Sequence, residues 1–234
     1  MIPLRDNAAP RRLTPVNIAL IAVNVAVFVY ELSLGPRVAA VVEKFALVPA
    51  AVTRAMSSGA PRNLHPLEPL ITIVTSMFIH GGILHIAGNM LYLFIFGAAV
   101  EYRMGAARYL SFYLAAGIAA AVATVWIAPE SNVPVIGASG AIAGVLGAYF
   151  ILYPRGRILT ILPIFIFIQF IEIPAVIYLL FWFAIQLYAG LAEGGSAGAM
   201  GGVAWWAHVG GFMFGIALGP MLAINRPTRQ RRSR

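Results

Sequence analysis

The chain has 234 residues, of which 61% are hydrophobic and only 10% charged, well below the roughly 25% charged residues of soluble domains. It contains no cysteine, which excludes a disulfide framework and a thiolate metal site. The net charge of +8 comes from basic residues set between apolar runs, with no basic face interleaved with aromatics; membrane topology explains this pattern better than a nucleic-acid interface does.

A basic arm, residues 1–15, leads into an apolar stretch at about 16–34. That stretch exceeds a signal-peptide core and further apolar runs follow it, so it reads as an uncleaved first membrane helix. After a long first loop, further spans are expected at about 82–101, 107–127, 138–153, 174–191 and 204–224. The expected fold is therefore all-α: a polytopic bundle of six transmembrane helices forming one domain over residues 16–225, with a basic tail at 226–234. Residues 158–187 are apolar throughout apart from isolated polar side chains, which is too long for one crossing, and Pro163 and Pro174 interrupt them. Proline suits the first turn of a helix, which starts the fifth span near Pro174. Residues 158–171 then form an interfacial or partly inserted connection. The segment Glu193 to Gly202, EGGSAGAMGG, has the composition of a flexible linker and could cap a site.

Six spans put four basic groups on one side: Arg5, Arg11 and Arg12; Arg103 and Arg108; Arg155 and Arg157; and the tail arginines from Arg226 to Arg234. The remaining basic residues, Arg37, Lys44, Arg54 and Arg62, all lie in the first loop. By the positive-inside rule both termini are expected in the cytoplasm, as for a multi-pass protein of the cell (plasma or inner) membrane. The lipid bilayer is then its first partner.

Polar side chains at membrane depth are costly and mark function by default. Three stretches supply them: HGGILHIAGN (His80 to Asn89), GASG (Gly137 to Gly140) and AHVGGFMFG (Ala207 to Gly215). Counted from the nearest cytoplasmic arginine at 1.5 Å per residue, Asn89, His85, Ser139 and His208 stand at roughly 21, 27, 24 and 27 Å. They share one slab near the outer surface of a core about 30 Å thick. Gly140 and Gly144, and again Gly211 and Gly215, have the G-x-x-x-G spacing that lets helix backbones approach closely. Such an approach could bring the Ser139 hydroxyl to the His208 imidazole.

Taken in order over about 200 residues, these features resemble the rhomboid family of intramembrane serine proteases. The matching pieces are six spans, an outer first loop, H-x4-H-x3-N at His80, His85 and Asn89, E-x3-G at Glu101 and Gly105, G-x-S-G at Gly137 to Gly140, and A-H-x2-G-x3-G from Ala207 to Gly215. The resemblance implies Ser139 as nucleophile and His208 as its general base. It implies Asn89 and His85 as oxyanion donors beside the Ser139 backbone N–H, and His80 as structural. It also implies transmembrane proteins as substrates, entering between the second and fifth spans and cleaved near the outer face. Two departures stand out. Many relatives carry an aromatic four residues after the serine, packed on the histidine, where this chain has Ala143; and a Trp-Arg pair of many first loops is replaced by Ile71 and Thr72. The alternative reading is a non-catalytic rhomboid-like binder that escorts membrane proteins. Such relatives typically lose the serine or histidine, and this chain keeps both.

The residues support that chemistry by themselves. The acids near the spans fall at their ends, so the expected catalytic unit is a Ser–His dyad rather than a triad with a carboxylate. His85 and Asn89 are four apart and share a helical face. Ser139 opens its helix, where backbone N–H groups are free and the dipole favours negative charge. No H-E-x-x-H motif is present, and neither a metal nor a cofactor is expected.

Overall fold

The computed structural model describes residues 1–8, 14–57, 68–164, 167–193 and 204–224. The glycine-rich stretch after Glu193 and the basic tail at 226–234 lie outside the described residues. The fold is mostly helical. Among the described residues four helices are long and apolar enough to cross a membrane: Pro15–Ser33, Ile83–Met104, Ala106–Ile127 and Ala175–Ala192.

The first of these, α1 (Pro15–Ser33), starts on a proline, whose missing N–H costs nothing at a helix start. The first loop folds into short helices, α2 (Val38–Phe45), α3 (Pro49–Ser57) and α4 (Glu68–Thr75). Next, α5 (Ile83–Tyr92) runs through a π-turn, Leu93–Gly97, into α6 (Ala98–Met104). The chain reverses at Gly105, whose φ of +81° favours glycine, and enters α7 (Ala106–Ile127). Three helices follow: α8 (Ser139–Leu152), α9 (Ala175–Ala192) and α10 (Trp205–Leu222).

Helix α8 is the hub. Every residue from Gly140 to Tyr149 is buried. Its 14 residues span about 21 Å, less than the roughly 30 Å of a hydrocarbon core. Small residues allow its neighbours to touch it. On α10, a Cβ at Gly211 or Gly215 would collide with the carbonyl of Gly140 or Gly144. Gly140 and Gly144 themselves face α7, where an added Cβ would run into Ala120 and Ala116. The α10 glycines thus make the close approach to the α8 backbone, while those of α8 chiefly admit α7.

A buried polar network ties α1 to the bundle. The Glu101 carboxylate accepts the backbone N–H groups of Val16 at 3.2 Å and Asn17 at 2.7 Å. Those N–H groups lie in the first turn of α1, where the helix offers no acceptor. The Asn17 amide donates to the Leu93 carbonyl in the π-turn at 3.0 Å, and the Tyr109 hydroxyl donates to Asn17 Oδ1 at 2.8 Å.

The arm and the connection, to which the sequence assigned no secondary structure, form strands in an otherwise helical fold. Residues Ile2–Asp6 make β1, and the described residues of the expected interfacial connection, 158–164 and 167–171, belong to two paired strands, β2 (Arg157–Ile164) and β3 (Phe167–Pro174). The three strands form an antiparallel sheet in the order β1-β2-β3, with Ile2 opposite Ile161 and Arg157 opposite Pro174. Pairing gives the backbone groups of these apolar segments internal partners wherever water does not reach them. The Tyr149 hydroxyl donates to the Asp6 carboxylate at 3.0 Å, which fastens the sheet to α8.

Candidate active site

Five side chains named from the sequence gather at the end of the bundle where α8 begins. Ser139 is the first residue of α8 and is partly exposed. On α5, Asn89 is buried and His85 partly so. His208, on the first turn of α10, is buried, as is His80, which precedes α5.

Gly137 is where the α5 and α8 groups meet. Its φ is +117°, and a Cβ there would stand 2.7 Å from His85 Nε2 and 3.6 Å from Asn89 Nδ2. Both polar atoms therefore reach the backbone two residues before Ser139 because glycine leaves the space open. The Gly137 N–H donates to the Ser76 carbonyl at 2.9 Å, which holds this turn against the segment before α5. The Gly81 N–H donates to His85 Nδ1 at 3.4 Å. With Nδ1 accepting, the imidazole proton resides on Nε2, the atom that faces Gly137. Asn89 Nδ2 is a buried donor with no acceptor among the described residues.

The contact between α8 and α10 relates Ser139 to His208. Gly140, the neighbour of Ser139, lies against Ala207 and Gly211, which flank His208 within one turn. The structure does not join the two by a hydrogen bond: His208 Nε2 is buried and has no partner among the described residues. The other ring nitrogen is held, with Nδ1 2.6 Å from Gln186 Oε1 on α9. Trp182 and Trp205 lie beside the imidazole, their ring centroids 5.8 and 6.4 Å away. Aromatic contact to this histidine thus comes from α9 and α10, and Ala143 on α8 is fully buried in the helix packing.

Gln186 is the residue that sequence reasoning passed over. Its signal was available: an amide in an apolar span, 12 residues beyond Pro174, hence at a height of about 18 Å. His80 is fixed on several sides. Its backbone N–H points to the Glu31 carboxylate at 3.3 and 3.4 Å, its Nδ1 lies 3.3 Å from the Phe78 carbonyl, and its ring packs edgewise on His85. A cavity of about 30 Å³ adjoins Ser139, lined also by Ser76, Met77, Gly117 and Thr124. That is room for a water molecule between polar groups. Among the described residues no group of three or more His, Cys, Asp or Glu side chains is placed to hold a metal ion.

Comparison with known proteins covers the same region. A family model described as "Rhomboid domain" matches residues 68–225. Rhomboid protein 1, mitochondrial, of Saccharomyces cerevisiae is 31% identical over 153 residues, 64% of this chain and 41% of that protein. Rhomboid protease GluP of Bacillus subtilis is 46% identical over 76 residues, 32% of this chain and 14% of that protein. RHOMBOID-like protein 6, mitochondrial, of Arabidopsis thaliana is 31% identical over 155 residues, 65% of this chain and 43% of that protein. The chain spans less than half the length of each of these relatives.

Proposed function

This chain belongs to the rhomboid family of multi-pass membrane proteins, and from that premise we propose that it is a serine endopeptidase that cuts transmembrane segments of other proteins. One observation carries the reading. Two buried polar atoms near the start of α8 have no partner among the described residues: Asn89 Nδ2, which faces Gly137, and His208 Nε2, on the helix that packs against Gly140 next to Ser139 at the helix N-terminus. Burying a polar atom without a hydrogen bond costs about 1–3 kcal/mol. Such a cost is ordinary at a site that awaits a reacting group.

In the proposed reaction the Ser139 hydroxyl attacks the scissile carbonyl while His208 Nε2 takes its proton. The tetrahedral oxyanion accepts hydrogen bonds from Asn89 Nδ2, from His85 Nε2–H and from the Ser139 backbone N–H, which has no acceptor within its own helix. The imidazolium then passes its proton to the departing amine, leaving an ester on Ser139. Water attacks that ester, His208 takes the water's proton, and release of the acid returns a proton to Ser139. A missing Ser–His hydrogen bond in the substrate-free protein is compatible with this sequence, because such contacts tighten when substrate binds.

The membrane arrangement in this reading has six spans, with α8 and α10 added to the four long helices. Arg103 donates to the Leu152 carbonyl at 3.3 Å, which supports one level for the arginine-bearing ends. Those ends face the cytoplasm of a plasma or inner membrane, and Ser139 lies toward the outer surface. Substrate helices enter between α5 and α9, which the Tyr92 and Tyr178 hydroxyls join at 2.6 Å. The test is cleavage of a reporter transmembrane protein by the purified chain. Wild type cuts it, and Ser139→Ala, still folded, does not. A Ser139→Ala variant that cleaves at the wild-type rate would exclude this nucleophile.

A further inference from the structure

We propose that Gln186 is a positioning residue for His208, holding the imidazole in the tautomer that leaves Nε2 free to accept the Ser139 proton. The inference rests on the protease reading above. It starts from the two unlike ends of the glutamine amide. The Gln186 nitrogen donates to the Trp182 carbonyl, one turn earlier on α9, at 3.3 Å. A carbonyl oxygen only accepts, so this contact fixes which end of the amide is which. The other end, Oε1, then faces His208 Nδ1 at 2.6 Å. Oε1 also only accepts, so Nδ1 bears the ring proton. A neutral imidazole has one such proton, and Nε2 is left with its lone pair.

The surroundings give this hydrogen bond its leverage. Gln186 and His208 are both buried, so water does not offer Nδ1 a replacement acceptor. Trp182 and Trp205 flank the ring and limit its rotation. Without the glutamine oxygen, Nδ1–H would be a buried donor with no acceptor, and the ring would relieve that cost by moving its proton to Nε2 or by turning. Either change removes the base from Ser139. A backbone carbonyl of α9 thus orients Gln186, Gln186 orients His208, and His208 serves Ser139. Among the described residues the carboxylate nearest this relay is Glu193, which accepts from Trp205 Nε1 at 2.8 Å and so acts on the flanking ring rather than on His208 Nδ1. The partner is a neutral dipole, which sets tautomer and angle without adding a charge beside the base.

Two variants of the full chain in detergent separate this role from packing. Gln186→Met keeps the shape and removes the acceptor, and Gln186→Glu keeps an acceptor. Nitrogen-15 NMR of labelled histidine reads the tautomer without requiring turnover, with His208 assigned by its loss in a His208 variant. The expected wild-type spectrum has Nδ1 protonated and Nε2 bare. In Gln186→Met that tautomer should no longer dominate, kcat should fall about 10- to 100-fold, a modest part of what a general base contributes, and KM should stay within about twofold. Gln186→Glu should recover kcat to within about tenfold of wild type. A wild-type His208 protonated on Nε2, or a Gln186→Met variant with wild-type kcat, overturns the role of Gln186 alone. A wild-type chain that shows the Nδ1–H tautomer but neither cleaves the reporter nor reacts at Ser139 overturns the protease reading, and the role of Gln186 with it.

Discussion

Gly137→Ala should inactivate the chain while leaving it folded. Two costs act at this position. The first is conformational: a non-glycine residue at the φ of +117° costs of order 1–3 kcal/mol. Against it stands about 0.4–1 kcal/mol gained from a less flexible unfolded chain. A typical stability of about 5–15 kcal/mol survives the difference. The second cost falls on geometry. The new methyl would stand 2.7 Å from His85 Nε2, where ordinary contact begins at 3.4 Å, so the ring must retreat by about 0.7 Å. A displacement near 1 Å in a catalytic group can cost about 10²-fold in rate. The assay is kcat on a reporter substrate in detergent, with the thermal midpoint measured beside it. The expected outcome is a fall of about 10²-fold in kcat with a folded protein. The double variant Gly137→Ala/His85→Ala should turn over no more slowly than His85→Ala alone, because the clash has gone. A folded Gly137→Ala within about threefold of wild-type kcat would refute the reasoning.

Asn89→Ala removes a donor from the proposed oxyanion site and should lower kcat by roughly 10²–10³-fold while leaving KM little changed; a kcat equal to wild type would make Asn89 a packing residue. Gly215→Ala drives a methyl into the Gly144 carbonyl, an overpacking that should cost about 1–3 kcal/mol. A wild-type thermal midpoint would show that α8 and α10 have room to separate. The orientation is checked with Lys44, the only lysine in the chain. A membrane-impermeant amine reagent should modify it in intact cells, and a reporter fused after Arg234 should read as cytoplasmic; an exported reporter would contradict the six-span arrangement.

Much of this fold was legible because its signals are local. Apolar runs bounded by arginine, proline and glycine placed α7, α9 and α10 within one or two residues of their observed ends, and Pro174 marked the start of α9. The sheet was hidden because its partners are remote. Ile2 pairs with Ile161, and nothing in IPLRD indicates a partner so far along the chain. Pro163 inside β2 argued further against a strand. The small helices of the first loop are too short to show a period. At the site, residue types and depth pointed to Ser139, His85, Asn89 and His208, since polar atoms at a common height in a membrane have few reasons to be there. Depth does not reveal which nitrogen faces what. Gln186 escaped because a lone amide between Ile185 and Leu187 looks like a tolerated interruption until the packing of α9 on α10 brings it to His208. Gly137 was legible as part of a motif, but its close contact with His85 required the fold.

The central claim is that Ser139 is a nucleophile activated by His208. Reaction of the purified chain with a fluorophosphonate, followed by peptide mass spectrometry, tests it without knowledge of the natural substrate. The expected result is a single covalent adduct on Ser139, lost in His208→Ala although that variant keeps the serine and its fold. An unmodified Ser139 in the active wild-type chain, or an equal adduct yield in His208→Ala, would contradict it.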